Sequence, residues 1–173
     1  MNTLEAIQTR RSIRKFSDKL LPEETLEKIL EAGTWAPTAM GRQSPIMVAV
    51  TDRADRDQLS RMNAAIMGHP EMDPFYGCPT VVVVLAERSF PPHVYDGSLV
   101  CGTLMLAATE LGVDSIWIHR AREEFDSEEG KALLKKWGIE GDYEGIGHIC
   151  LGYGLGEKPT PVPRKANYIY RVK

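Results

Sequence analysis

The run TVVVVLA at residues 80–86 constrains this chain more than any other segment. A continuous β-branched stretch without polar alternation reads as a strand covered on both faces, so its sheet needs a layer on each side. Residues 97–111 then read as a helix capped by Asp96. It carries Leu99, Val100, Cys101, Leu104, Met105, Leu106, Ala107, Ala108 and Leu111, with Glu110 as its only charge. A helix apolar nearly all round must be covered nearly all round. In a chain of 173 residues, a partner subunit is a natural part of that cover.

The other elements follow from local signals. A first helix is expected after a Thr3 cap, through Leu4 and Ile7 toward Arg11. A second begins at Pro22, with Glu23 and Glu24 at its positive end, Leu26, Ile29 and Leu30 as its stripe and Gly33 as a stop. Residues 46–51 suit a strand, followed by a helix capped by Asp52 with Leu59, Met62 and Ile66 inward. Residues 115–119 suit another strand, Asp126 with Glu129 marks the next helix, which ends near Trp137 and Gly138, and residues 148–152 suit a further strand. Pro159, Pro161 and Pro163 then forbid helix and central strand. They stiffen an arm toward residues 168–172, which alternate like a short strand in need of an edge to dock on. Helices and strands are interspersed without repeat or linker. The expectation is one α+β (α/β) domain over residues 1–173, with a central mixed sheet flanked by helices and an extended C-terminal arm.

A formal net charge of −3 gives no bulk attraction to nucleic acid or anionic membrane. The N-terminus lacks a basic-then-apolar signal, and the apolar runs fall far short of the ~20 residues that span a bilayer. Cys78, Cys101 and Cys150 are odd in number, widely spaced and set among apolar residues. They suggest a reducing cytoplasm rather than a disulfide scaffold or zinc site. His69, His93 and His148 lack metal-ligand spacing. Met62, Met67 and Met72 are spaced for core or pocket lining, with core favoured. The glycines of residues 152–156 faintly suggest a dinucleotide loop, but the prolines beyond forbid the helix it requires.

Three segments carry chemistry. Arg10, Ser12 and Arg14 alternate in a short extended exit from the first helix and set guanidinium forks and a hydroxyl on one side, a donor set suited to a phosphate dianion. The plainer alternative is a solvated basic helix end. Residues 34–45, TWAPTAMGRQSP, form a loop of small residues and prolines whose backbone is open to a planar ligand, or an ordinary helix-to-strand connection. Arg164 and Lys165 on the stiff arm either complete a phosphate site or form a charged tail.

Taken in order, RRSIRKF, APTAMGRQ and PVPRK resemble the nitroreductase family of flavoproteins over essentially the whole chain. The resemblance implies a nitroreductase-like fold and an FMN cofactor. It implies that Arg10, Arg11, Ser12 and Arg14 grip the phosphate and ribityl chain, joined by Arg164 and Lys165. Pro37, Thr38, Ala39, Met40 and Gln43 are implied to reach flavin held mainly by the other subunit of a homodimer. Ile118, His119 and Arg120 are implied to lie beside the ring, with Asn63 at its rim. Gly41 and the Gln43-Ser44-Pro45 run depart from the commoner pattern, as does His119-Arg120 at the ring edge. A cation there would raise the flavin potential, unless it pairs with Glu123, Glu124 or Asp126.

The implied function is transfer of reducing equivalents from NADH or NADPH through flavin to a small-molecule acceptor of nitroaromatic or quinone type. The chemistry would reside on the cofactor, with no catalytic side chain and no metal. The alternative is a flavin storage or sensor protein without turnover. Neither nucleic acid nor membrane is expected as a partner.

Overall fold

The computed structural model describes residues 2–173; Met1 lies outside them. The helices are α1 (Thr3–Thr9), α2 (Glu23–Thr34), α3 (Arg53–Met67), α4 (His93–Glu110), α5 (Ala121–Asp126) and α6 (Glu128–Lys136). The strands are β1 (Pro45–Val50), β2 (Thr80–Glu87), β3 (Asp114–Ile118) and β4 (Tyr143–Gly152). They form one sheet in the order β1-β2-β4-β3, each neighbouring pair antiparallel. The parallel part of the expected mixed sheet is a lone bridge between Ser12 and Ser115. The N-terminal segment touches the edge of β3 there and then turns Ile13 and Phe16 into the core.

Strand β2 is buried from Thr80 to Ala86, as its composition requires. Val81, Val83 and Leu85 face a core with Leu59, Phe75, Phe125 and Leu133; Val82 and Val84 face another with Ile29, Leu104, Ile149 and Leu151. Each such aliphatic contributes about 1.5–3 kcal/mol when fully buried, so the strand ties both layers to one sheet.

Glycines in β4 set how closely those layers approach. Register with β2 shifts between Val84 and Leu85, which pair with Gly147 and Gly145, so Ile146 is an extra, bulged residue. Its side chain fills the space beside Gly97 of α4. A Cβ on Gly145 would overlap the Ala121 carbonyl, and one on Gly147 would overlap the Trp117 indole. Toward the end of α5, Gly130 is pressed against the Glu124 carbonyl in the same way. Helix α5 is thus held by close backbone contact at both Ala121 and Glu124.

Local signals placed most elements, and the departures have physical reasons. Asn2, not Thr3, caps α1, sharing a capping box with Glu5, and α1 stops at Thr9. Gly33 lies inside α2, where Met47 and Leu104 leave no room for a side chain. Asp52 caps α3 as expected, but Ile66 is 41% exposed. Helix α4 starts at His93, directly after Pro92, so Asp96 is buried in its first turn instead of capping it. Ser127 caps α6 through the Gly130 N–H, with the unanticipated α5 just ahead. Residues 168–172 form no strand; Tyr168, Ile169, Tyr170 and Val172 stand exposed, because a strand needs an edge that the arm does not meet within one chain.

Asp73 knots the loop between α3 and β2. It accepts hydrogen bonds from Arg56 Nη2 (2.6 Å), Ser60 Oγ (2.6 Å), Phe75 N (3.0 Å) and Gly77 N (2.7 Å). Burial raises its carboxyl pKa, but the bonds from Arg56, Ser60 and Gly77 outweigh burial and hold it below its ordinary value of 3.8.

Two outcomes follow. Gly145→Ala is expected to lower stability by about 1–3 kcal/mol, the usual cost of overpacking; an unchanged denaturant midpoint would contradict the close-contact account. Asp73 is depressed in the folded state, so its contribution is present above the unfolded pKa and disappears as pH falls through the folded one. The margin of wild type over Asp73→Asn in urea should therefore hold from neutrality to about pH 4 and shrink below it. A margin constant down to about pH 2 would contradict this.

Candidate functional site

A cavity of about 220 Å³ opens beside the outer edge of β3, lined by Arg14, Met67, Met72, Pro74, Tyr76, Ile116, Trp117, Ile118, His119 and Arg120. The Ser115 carbonyl accepts from Ile13 N at 3.1 Å, so Ser115 points its backbone outward from the sheet. Antiparallel alternation then puts the Trp117 N–H and C=O on the same outer edge, toward the cavity. Ile118 turns its side chain into the core, being only 6% exposed. Its contribution to the cavity wall is mainly backbone.

Backbone strain concentrates here. Among the described residues, four non-glycines have positive φ: Met40 (55°), Gln43 (52°), Tyr76 (55°) and Arg120 (79°). Tyr76 and Arg120 line the cavity, and Met40 and Gln43 lie in the loop ahead of β1. Such conformations cost about 1–3 kcal/mol each and persist only where the surroundings hold them.

The basic N-terminal segment divides into distinct roles. Arg14 is exposed at the cavity and has no hydrogen bond or ion pair among the described residues. Arg10 Nη1 reaches Ser12 Oγ at 3.5 Å. Arg11 Nη1 instead folds back onto the carbonyls of Gln8 and Arg10, both at 2.8 Å, and closes the end of α1. For Arg11, the helix-end reading describes the geometry.

Arg120 is fixed from behind. Its Nε donates to Asn63 Oδ1 at 2.9 Å and its Nη2 contacts Met67 Sδ at 3.3 Å. It forms no direct ion pair with Glu123, Glu124 or Asp126. Asn63 is fully buried, and its Nδ2 donates to the His119 carbonyl at 2.8 Å and to Glu124. Asn63 therefore sits beneath the wall, not on a rim. The His119 ring tilts against Trp117 with centroids 5.5 Å apart.

The loop with Pro37, Thr38, Ala39, Met40 and Gln43 stands elsewhere. It contains a 3-10 turn, Ala39–Gly41. Buried Asp96 Oδ1 accepts from Ala39 N at 3.0 Å, Thr38 Oγ1 accepts from Gln43 N at 3.1 Å, and Arg42 lies over the Phe90 ring. Thr38 and Gln43 line a separate cavity of about 130 Å³ against Met47 and Val100. The pairings Ser12–Ser115, Ser115–Leu151, Leu151–Thr80 and Pro45–Ala86 put the two segments at diagonally opposite corners of the sheet. With ordinary strand spacing and rise, the corners lie roughly 25 Å apart. Arg164 and Lys165 stand exposed on the arm, Arg164 donating to the Val162 carbonyl and Lys165 lying over the Tyr168 ring. Among the described residues, the last ion pair between the arm and the body is Lys158 Nζ on Asp114 Oδ1 at 2.7 Å.

Met67 and Met72 line the cavity, although their spacing favours the core, and Pro74 and Tyr76 join them unanticipated. The tight turn that places Tyr76 had one local signal, Gly77 following Asp73. Cys101 is a core residue, its thiol pushed up to about 12 by burial, far from a reactive thiolate. Among the described residues, no group of three or more His, Cys, Asp or Glu is placed to hold a metal ion, and no helix is long and apolar enough to cross a membrane.

The pattern of the Nitroreductase family matches residues 7–76, which include the basic segment, the loop and Tyr76. A Methanothermobacter thermautotrophicus protein provisionally named NADH dehydrogenase/NAD(P)H nitroreductase is 31% identical over 121 residues, which are 68% of this chain and 60% of that protein. A protein of the same provisional name from Archaeoglobus fulgidus is 34% identical over 158 residues, 90% of this chain and 87% of the relative. The crystal structure of a Bacteroides fragilis nitroreductase with bound FMN superposes with a TM-score of 0.92 and 30% identity, over 100% of both chains. A cavity at the sheet edge, a basic segment beside it and these likenesses along nearly the whole length together make this chain a member of the nitroreductase family.

Proposed function

We propose that this chain is an FMN-dependent oxidoreductase that passes reducing equivalents from NADH or NADPH to a small oxidised acceptor of nitroaromatic or quinone type. The observation that carries the reading is the cavity at β3, with free Arg14 at its mouth and anchored Arg120 in its wall. The donor set fits FMN. Arg14 offers an unpaired guanidinium, and Arg10 and Ser12 present a fork and a hydroxyl to one phosphate. The Trp117 backbone would be open to the edge of a planar ring, and Met67, Met72 and Tyr76 line the cavity with apolar surface. When bound, FMN supplies the two-electron carrier, and the protein binds, orients and shields it. No side chain is assigned as acid or base.

The same reading includes a homodimer with shared sites. Each chain leaves its loop roughly 25 Å from its own basic segment on strand geometry, too far for one flavin ring to touch both. Met40 and Trp35 on that loop are 84% and 80% exposed, and Tyr95 and Leu99 leave an apolar strip uncovered on α4. A two-fold partner supplies the loop to each cavity, covers α4 and gives the arm an edge, bringing Arg164 and Lys165 to the phosphate.

The purified protein is expected to release non-covalent FMN on heating, identified by chromatography, and to oxidise NADH or NADPH with a quinone or nitroaromatic. A colourless protein that FMN cannot reconstitute would overturn the cofactor reading; bound FMN without turnover would favour storage or sensing. Arg14→Ala should weaken FMN binding ten- to hundredfold, the loss of a charge-assisted bond worth about 1.5–3 kcal/mol, whereas unchanged affinity would remove Arg14 from the site. Light scattering during flavin titration should show a dimer wherever FMN is tightly bound, and a monomer binding it equally tightly would refute the shared site.

A further inference from the structure

Behind the cavity wall lies a chain of polar groups that the proposed chemistry does not use. Arg120 Nε is bonded to Asn63 Oδ1 at 2.9 Å, Asn63 Nδ2 is bonded to Glu124 Oε1, and Glu124 Oε2 stands 3.0 Å from His148 Nε2. Asn63, Glu124 and His148 are each fully buried, and none lines the cavity. The three residues come from α3, α5 and β4, so the assembly is tertiary and not a local turn. Close packing of Gly145 on Ala121 and of Gly130 on Glu124 leaves α5 little room to shift.

A carboxylate removed from water on all sides needs compensating charge. Among the described residues, Glu124 Oε2 has no hydrogen-bond partner, although His148 Nε2 stands 3.0 Å away, and Glu124 Oε1 is linked to the Arg120 guanidinium through one amide. Arg120 also adopts left-handed backbone (φ 79°, ψ 7°), which its neighbours must maintain. Asn63 does so on both counts, holding the guanidinium at Nε and the adjacent His119 carbonyl at Nδ2.

We infer that Glu124 is a positioning residue that acts through Asn63 on Arg120, fixing where that cation stands in the cavity wall and offsetting part of its charge. The inference rests on the FMN reading. Reduction adds negative charge to the flavin, so the placement and net charge of Arg120 decide how much more tightly the reduced form binds than the oxidised form. Glu124 would thereby set the potential of a cofactor it never touches.

The test is a double-mutant cycle read as the midpoint potential of protein-bound FMN. Glu124→Gln keeps an oxygen for Asn63 but removes the charge that offsets Arg120. The preference for reduced over oxidised FMN should rise roughly three- to tenfold, the upper end equal to about 30 mV for a two-electron couple. Asn63→Ala unclamps the guanidinium and should lower the same preference by a similar factor. In an Arg120→Met background both effects should shrink to less than about twofold, because both act through Arg120. Potentials unaltered by either substitution, or altered equally with and without Arg120, would overturn the inference. If Glu124→Gln fails to fold, Glu124→Asp, which shortens the reach to Asn63, tests the same coupling when read with and without Arg120. A wild-type protein that binds no FMN would instead overturn the flavin reading itself, a failure visible before any variant is made.

Discussion

Strands β2 and β4 form the centre of a sheet that has helices on both faces, and nearly everything else depends on how closely those helices can approach it. The apolar side chains of β2 supply the driving force for both layers. On β4 the determinant is the absence of side chains. Gly145 admits the backbone of α5, Gly147 admits the Trp117 indole, and the bulge between them drives Ile146 against Gly97 of α4. Burial is non-directional, whereas these contacts are steric and specify distance, so they convert a collapsed sandwich into one with a defined sheet edge.

That edge is where chemistry becomes possible. Among the described residues, the outer side of β3 is bridged only at Ser115, leaving the backbone beyond it available to a ligand. Around the opening, Tyr76 and Arg120 are held in left-handed conformations by two polar knots: Asp73 gathers the loop before β2, and Asn63 gathers the start of α5. The strain at the wall is sustained by buried hydrogen bonds some residues away, a division of labour suited to a site whose geometry must not relax when it is empty.

The chain also leaves surfaces unmatched. Tyr95 and Leu99 on α4, Met40 and Trp35 on the loop, and Tyr168, Ile169, Tyr170 and Val172 at the end of the arm all expose large apolar surface. A shared-site dimer would resolve all three together and unite the two corners of the sheet that the family resemblance assigns to one flavin. The same geometry explains why an isolated chain presents the phosphate-type donors and the loop as separate features.

Much of this was legible in residue order. The buried strand, the helix stripes, the Asp52 cap, the stiff arm and the basic segment all follow from periodicity, capping chemistry and proline stereochemistry, which act over a few residues. The sequence by itself determined those elements and, through its ordered motifs, the family. It did not disclose that Asn63 lies under the wall, that Asp96 holds the loop, that Met67 and Met72 face a cavity, or that Arg11 closes a helix. Asn63 and Arg120 are 57 residues apart in the chain, as are Ala39 and Asp96. Only the tertiary structure decided such pairs, because a side chain's partner across the fold depends on sheet register and layer spacing, and no local signal carries either.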